Sequence, residues 1–539
     1  MSSPSDRTLR TVLGTLALIG ATALSSPAAW AQDDARPPRV ERPVQRSAEP
    51  AEGAVFDGAD GIDIVAYIND SMAAKHMAGL SAAIVKEGQI YWTGAFGLAD
   101  PGEAKPVTDE TLFMLASISK TITATALMQL FDQQAFQLDD RVNDYLPFPV
   151  ASPAHPGTDI TFRMLLTHTS GITDNWGVMP YYPGDSPHAL GTYLGAYLVP
   201  GGAIYNPSKN FLAWEPGTAF SYCNNAVALA GYLVEVLSGV PFEDYCEANV
   251  FAPLDMDETA WMLADLDPAH IAKPCAWNGS TWVDYGHFGY SDWPSGQLRT
   301  SATQLAQFLT MFIQEGQFGT ETLLAASTAQ QMKTPQVPGI DPTQGLVWYT
   351  SNVGGRSVWG HNGGDQGVTT EMWFDPATDI GVVALTNGEA YFTNIVDALF
   401  DYAEEQPPQT SLVATAATIQ IGAGGEVGFT LTGGTINAGR PYVVLGGASG
   451  TTPGTPLPGG LVTLPVNWDA ATEFVVANLN SPMFFNFYGT LSDKGVGRAT
   501  FDTLGPLPPV VAGLSLHFAG AFLGPWNYVS NAVEVQFTL

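Results

Sequence analysis

Positive charge is scarce in this chain. Against 52 aspartates and glutamates stand only 20 lysines and arginines, a formal net charge of −32 over 539 residues. A surface of that sign repels nucleic acid and anionic membranes, which need a basic partner. Cysteine is scarce too: Cys223, Cys246 and Cys275 are all there are. They form no C-x-x-C pair, and no His-rich spacing accompanies them, so neither a metal site nor a cofactor site is expected. In an oxidising compartment two of the three could pair, and Cys246 with Cys275 is the expected bridge. No G-x-S-x-G elbow occurs, which argues against an α/β-hydrolase. Beyond the first 31 residues no apolar run is long enough to cross a bilayer. Hydrophobic content of 45% with 13% charged residues indicates folded, globular material long enough for more than one core.

The N-terminus reads as an export signal. Arg7 and Arg10 precede an apolar stretch from Val12 to Leu24, and Ala29-Trp30-Ala31 fits a small-x-small cleavage site. The mature chain is expected to begin at Gln32 and to be secreted or periplasmic, with no membrane span after signal removal. Residues 32–57, rich in Pro, Arg, Glu, Asp and Ala, read as a flexible leader. Residues 58–405 have a mixed α/β texture. Helical periodicity covers Ile62 to His76, Thr121 to Phe131, Asn224 to Ser238, Thr303 to Ile313 and the neighbourhood of Asn394 to Ala403. Strands are expected at Leu80–Val85 and Gln89–Thr93, joined by a turn at Glu87-Gly88, and at Glu371–Phe374 and Ile380–Leu385. After Pro407-Pro408 the texture changes. Residues 409–539 are rich in Gly, Thr, Val and Pro, with short alternating runs at Val427–Leu431, Pro441–Leu445, Phe474–Ala477 and Val533–Leu539. That pattern predicts an all-β sandwich or barrel, suited to contact with an envelope or a polymer. His517 alternates with its strand residues and is read as structural.

One short stretch carries chemistry. In Ser117-Ile118-Ser119-Lys120, Lys120 is the only lysine with a serine three residues before it. At i,i+3 on a helix the two side chains share a face. A serine hydroxyl needs a neighbouring base to become a nucleophile, and a lysine one turn on is one such arrangement. Taken alone, the pair is equally an N-cap serine followed by a solvated lysine. A second stretch, Tyr222-Cys223-Asn224, follows a Pro-Gly turn at Pro216-Gly217. Tyr222 could act as a base if a cation such as Lys120 lowered its pKa, and Asn224 could orient Lys120 and hold a substrate amide. A third, His361-Asn362-Gly363-Gly364, has glycines that let backbone approach a substrate. The Gly364 N–H, paired with that of Ser117, could form an oxyanion hole.

S-x-x-K, Y-x-N and H-x-G in that order resemble the serine β-lactamase-like hydrolases: class C β-lactamases, DD-carboxypeptidases, D-aminopeptidases and related carboxylesterases. Leu165-Leu-Thr-His-Thr-Ser-Gly171, Trp214-Glu-Pro-Gly217 and Gly360-His-Asn-Gly-Gly364 also match, and the likeness spans about residues 60–405. It implies an antiparallel sheet flanked by helices with a helical subdomain, followed here by the β-rich tail. It also implies Ser117 as the acylated nucleophile, with Lys120 and Tyr222 moving its proton. Asn224 would hold the acyl side chain, His361 and Gly363 would line the far wall, and Gly364 would serve the oxyanion. His168 and Thr169 are read as supports. Two departures matter. Class C enzymes carry lysine where this chain has His361, which weakens an anchor for the β-lactam carboxylate. Cys223 stands where serine is usual, with no activating base assignable to its thiol. The expected substrates are therefore small esters, amides or peptides before β-lactams. The rival reading is a binding protein that keeps the fold without turnover.

Overall fold

The computed structural model describes residues 63–86, 88–319, 321–405, 411–433, 437–460, 462–492 and 495–539. The expected signal segment, the leader and the Pro407-Pro408 junction lie outside the described residues. The chain starts with helix α1 (Ile64–Lys75), strands β1 (Gly79–Lys86), β2 (Gln89–Asp100) and β3 (Lys105–Pro106), and helix α2 (Ser119–Asp132). Four helices follow: α3 (Phe162–Leu166), α4 (Leu190–Leu198), α5 (Asn224–Ser238) and α6 (Phe242–Cys246). Next come α7 (Ala302–Ile313), α8 (Ala326–Met332), β4 (Tyr349–Val353), β5 (Arg356–Asp365), β6 (Val368–Asp375), β7 (Ile380–Thr386) and α9 (Thr393–Glu405).

β1 explains the layering. Its residues are buried on both faces, unlike a strand that turns one side to water. With a period of two, Leu80, Ala82 and Ile84 face α1 and α9, while Ala83 and Val85 face the opposite layer that includes α7. The seven strands form one antiparallel sheet in the order β4-β5-β6-β7-β1-β2-β3. The first and last parts of the sequence therefore meet in the middle, Leu80 opposite Thr386 and Val85 opposite Gly381.

α2 is the hub between sheet and helical subdomain. Every residue from Ser119 to Leu130 is buried, the pattern of a helix enclosed on all sides. Its three threonines are satisfied within that apolar setting. The Thr121 and Thr125 hydroxyls donate back to the carbonyls of Ile118 and Thr121 at 2.7 and 2.8 Å, and Thr123 donates to Pro294 O at 2.7 Å. α5 packs along α2.

The region after residue 410 is strand-rich, as its sequence texture predicts. It contains β8 (Ser411–Ala414), β9 (Thr418–Gln420), β10 (Glu426–Thr432), β11 (Pro441–Gly447), helix α10 (Ala470–Ala477), β12 (Phe484–Phe485), β13 (Tyr488–Thr490), β14 (Val496–Asp502), β15 (Ser515–Phe522) and β16 (Val533–Thr538). Its two larger sheets, β8-β10-β14-β12 and β9-β16-β15-β11-β13, surround a core that includes Phe429, Phe487, Phe501 and Phe518. His517 lies on β15.

Two expectations are corrected. Phe474–Ala477 is not a strand but the end of α10. Asp469 caps that helix, accepting from Ala471 N and Thr472 N, while the Asp469 amide donates to the Thr472 hydroxyl. The expected Cys246–Cys275 bridge is absent, since all three cysteines are free and buried. Cys246 is packed inside α6, and Cys275 donates from Sγ to Asn387 O at 3.0 Å. Among the described residues no single helix is long and apolar enough to cross a membrane.

Candidate active site

Ser117 sits in a tight turn clamped at its entrance. Leu115 donates from its amide to Leu298 O at 2.8 Å and accepts from the Thr370 hydroxyl at 2.7 Å. The backbone then passes through φ +47° at Ala116, a left-handed conformation that an L-residue adopts at a cost of about 1 kcal/mol. A 3₁₀ turn, Ala116–Ile118, delivers Ser117 to the N-terminal mouth of α2. The amides there carry partial positive charge.

Lys120 lies one turn further on and is fully buried. Its ammonium donates to Ser117 Oγ at 3.0 Å and to the Ser295 carbonyl at 2.6 Å, and stands 4.9 Å from the centre of the Tyr222 ring. Sequence reading missed Ser295. It lies 175 positions away from Lys120, and no spacing rule connects them.

Tyr222 is half-buried between two histidines. The His168 ring is 4.4 Å away and the His361 ring 6.2 Å away. The expected supports lie where that role needs them. His168 accepts from Ser221 N at its carbonyl and from Cys223 N at Nδ1, at 2.9 and 3.2 Å, and Thr169 O accepts from Gly217 N at 2.7 Å. A ring nitrogen that accepts from an amide is unprotonated, so His168 is held as its Nε2–H tautomer. These bonds pin both ends of the segment that carries Tyr222.

Asn224 opens α5, and Asp174 secures that opening. The half-buried Asp174 carboxylate accepts from Asn224 N at 2.8 Å, from Asn225 N at 3.0 Å and from Asn225 Nδ2 at 2.8 Å. Tyr197 holds Asp174 in place, donating to Thr173 O and accepting from Asn175 N on either side of it. Burial pushes the Asp174 carboxyl above its ordinary range, the helix amides pull it back, and Asp292 pushes it up again. Asp174 is a second residue that sequence reading passed over. Its only signal was an acidic side chain three residues past Gly171. Burial, reinforced by Asp174, drives the Cys223 thiol well above its normal pKa, so this cysteine is a packed helix cap rather than a nucleophile.

His361, Asn362, Gly363 and Gly364 belong to β5. β4 pairs with β5 only as far as Tyr349 opposite Gly360, while β6 continues alongside to Asp365. Among the described residues, then, the stretch from His361 to Asp365 pairs with a strand on one side only. The chain ahead of β4 is turned off the other side at Val347, where φ is +67°. Gly363 presses on the Ser117 turn: a β-carbon there would overlap Leu115 O and the Thr370 hydroxyl and stand 3.0 Å from Ser117 N. His361 is fully buried, and its Nδ1 donates to Asn362 O at 2.6 Å, since a carbonyl can only accept. Tyr349, unremarked in the sequence, donates to Asn362 Oδ1 at 2.8 Å and lays its ring 5.1 Å from His361.

Of the seven residues singled out in the sequence, the structure gathers five at one place: Ser117, Lys120, Tyr222, His361 and Gly363. Asn224 and Gly364 stand beside them by chain connectivity. A cavity of about 640 Å³ lies apart from these groups, its lining including Glu235, Glu243 and Trp293.

Comparison with known proteins gives a family for this fold. Residues 64–402 match the family model described as Beta-lactamase. The chain is 26% identical over 336 residues to penicillin-binding protein 4 of Amycolatopsis lactamdurans, covering 59% of this chain and 84% of that protein. It is 25% identical over 362 residues to the D-alanyl-D-alanine-carboxypeptidase/endopeptidase AmpH of Escherichia coli K12, covering 62% and 87% respectively. The crystal structure of a penicillin-binding protein from Bacillus halodurans superposes with a TM-score of 0.51 at 25% identity, over 62% of this chain and 98% of that one. A serine and a buried lysine joined by a hydrogen bond, on a sheet-and-helix frame of this topology and with this match, place the chain in the beta-lactamase family of serine hydrolases.

Proposed function

We propose that the protein is an exported serine hydrolase that cleaves esters or D-amino-acid peptides through an acyl-enzyme on Ser117, with β-lactams as poorer substrates. The 3.0 Å bond between Lys120 Nζ and Ser117 Oγ, under the Tyr222 ring, carries the reading. Ser117 Oγ attacks the substrate carbonyl carbon, and its proton passes to the Lys120–Tyr222 pair. The oxyanion forms against the amides of Ser117 and Gly364 at the mouth of α2. The pair returns a proton to the leaving group, and water then hydrolyses the acyl-enzyme. Asn224 holds the acyl side chain, and the edge of β5 receives the extended part of the substrate.

His361 supports the substrate class. One ring nitrogen is committed to Asn362 O, so a buried, fixed imidazole stands where a lysine would bring a mobile ammonium. The relatives named for D-alanyl-D-alanine carboxypeptidase and penicillin binding support a peptide-like substrate. Export rests on the apolar segment before Ala29-Trp30-Ala31. Residues 58–405 are proposed as the catalytic unit and 409–539 as an accessory unit contacting an envelope or polymer. Trp468, Phe474, Phe485 and Tyr488, each about half exposed, supply apolar surface for that contact.

The test is a panel of p-nitrophenyl esters, D-amino-acid amides and a chromogenic cephalosporin, run beside fluorophosphonate labelling of wild type and Ser117→Ala. Turnover of esters or D-amides with labelling lost in Ser117→Ala is expected. Identical behaviour of the two proteins toward the probe ends the enzyme reading, and faster turnover of the cephalosporin overturns the substrate order.

A further inference from the structure

Lys120 is fully buried, and Ser117 Oγ and the Ser295 carbonyl are among its acceptors. A buried ammonium needs a counter-charge within reach, because desolvation otherwise favours its neutral form. The turn that supplies Ser295 begins with Asp292, and both residues are almost wholly buried. Asp292 holds Ser295 twice. Its Oδ2 accepts from Ser295 Oγ at 2.9 Å, and its carbonyl accepts from Ser295 N at 2.9 Å. The same turn is tied to α2 one helical step past Lys120, where Thr123 donates to Pro294 O at 2.7 Å. A carboxylate thus stands two hydrogen bonds from the ammonium, and the residue between them is fixed from both sides.

We infer that Asp292 is a positioning residue for Lys120: through Ser295 it aims the carbonyl that holds the ammonium and supplies the negative charge that the buried cation faces. The inference rests on the hydrolase reading above. Asp292 and Ser295 lie outside the three motifs.

The two contributions separate by mutation. Asp292→Asn deletes the charge but leaves an amide oxygen able to accept from Ser295. Ser295→Ala keeps the charge and the carbonyl but frees the turn. The other titratable groups facing Asp292 are Asp174 from the loop before α4, Tyr182 from the following loop and Tyr197 from α4, and both variants leave them in place. Removing a negative charge makes nearby acids lose their protons at lower pH, whatever the charge type of those acids.

The experiment measures the rate of Ser117 labelling by a fluorophosphonate against pH for wild type and both variants. Asp292→Asn is expected to move both limbs of the profile about one pH unit lower. Ser295→Ala is expected to keep both limbs and lose about tenfold in maximal rate. A profile for Asp292→Asn that superimposes on wild type, or an unchanged rate for Ser295→Ala, overturns the inference. Failure of wild type itself to label instead removes the hydrolase reading. The crystal structure of Asp292→Ala then decides the inference: displacement of Lys120 Nζ from Ser295 O supports it, and an unmoved Lys120 overturns it.

Discussion

Gly363 on the sheet and Ser117 on the helix turn meet with no room for a side chain between them. A β-carbon on Gly363 would lie 3.0 Å from the Ser117 amide nitrogen and overlap the Leu115 carbonyl. The nearest neighbour is the Thr370 hydroxyl, itself bonded to Leu115 O, and the other two are backbone atoms of a turn held by Leu298, so little on that side can swing away. Gly363→Ala is therefore expected to push the Ser117 turn off the sheet. Overpacking of this kind destabilises by about 1–3 kcal/mol, and a displacement near 1 Å lowers rate by about a hundredfold. Thermal unfolding together with fluorophosphonate labelling checks both. Wild-type labelling in the variant contradicts the arrangement.

Asp174 should separate a helix-capping function from simple packing. Asp174→Ala leaves the amides of Asn224 and Asn225 without their acceptor and is expected to lose about 2 kcal/mol. Asp174→Asn keeps one acceptor oxygen and should lose less. Urea denaturation of the two variants gives the comparison, and equal losses would show that capping is not what Asp174 provides.

Glu371 makes stability depend on pH. It is buried on β6, its carboxylate accepts from Trp373 Nε1 at 2.5 Å, and burial pushes its pKa to about 7. The folded protein holds this proton more tightly than the unfolded chain, whose value is near 4.5. The contribution is complete below that unfolded value and disappears as pH rises through the folded one. A difference of this size corresponds to about 3 kcal/mol. Glu371→Gln retains an acceptor for Trp373 without the ionisation. Its stability relative to wild type should rise between acid and mildly alkaline solution, read from urea midpoints across that range. A constant difference refutes the assignment.

The cysteines offer a direct chemical count. Burial raises all three thiols, Cys275 to about 12, and none is bridged. The native protein should be almost inert to Ellman's reagent, while the protein unfolded without reductant should release three equivalents. One equivalent would restore a disulfide.

What the sequence made legible follows from range. Ser117 and Lys120 declare themselves because three residues make one helical turn, and α5 because its apolar spacing runs unbroken from Asn224 to Ser238. The strands β1, β6 and β7 were readable from apolar runs of strand length. α10 was not: Phe474-Val-Val-Ala477 carries strand propensity, and the cap at Asp469 and Thr472 outweighs it. Ser295, Asp292, Asp174 and Tyr349 stayed hidden for another reason. Ser295 reaches Lys120 across 175 positions and Asp174 reaches Asn224 across 50, Tyr349 meets Asn362 across a hairpin, and Asp292 bonds to Ser295 rather than to a motif residue, so no local period records these contacts.

The kink at Val347 helps decide how much of β5 is covered by β4. A β-branched residue at φ +67° is an uncommon conformation, held here by a bond from Val347 N to Leu166 O at 2.7 Å. Were that torsion relaxed toward the extended region, β4 could start earlier and lengthen its pairing with β5 toward His361. The length of β5 that β4 covers is thus set in part by a main-chain torsion outside both strands, together with the bonds of Gly345 and Leu346 that hold the same turn.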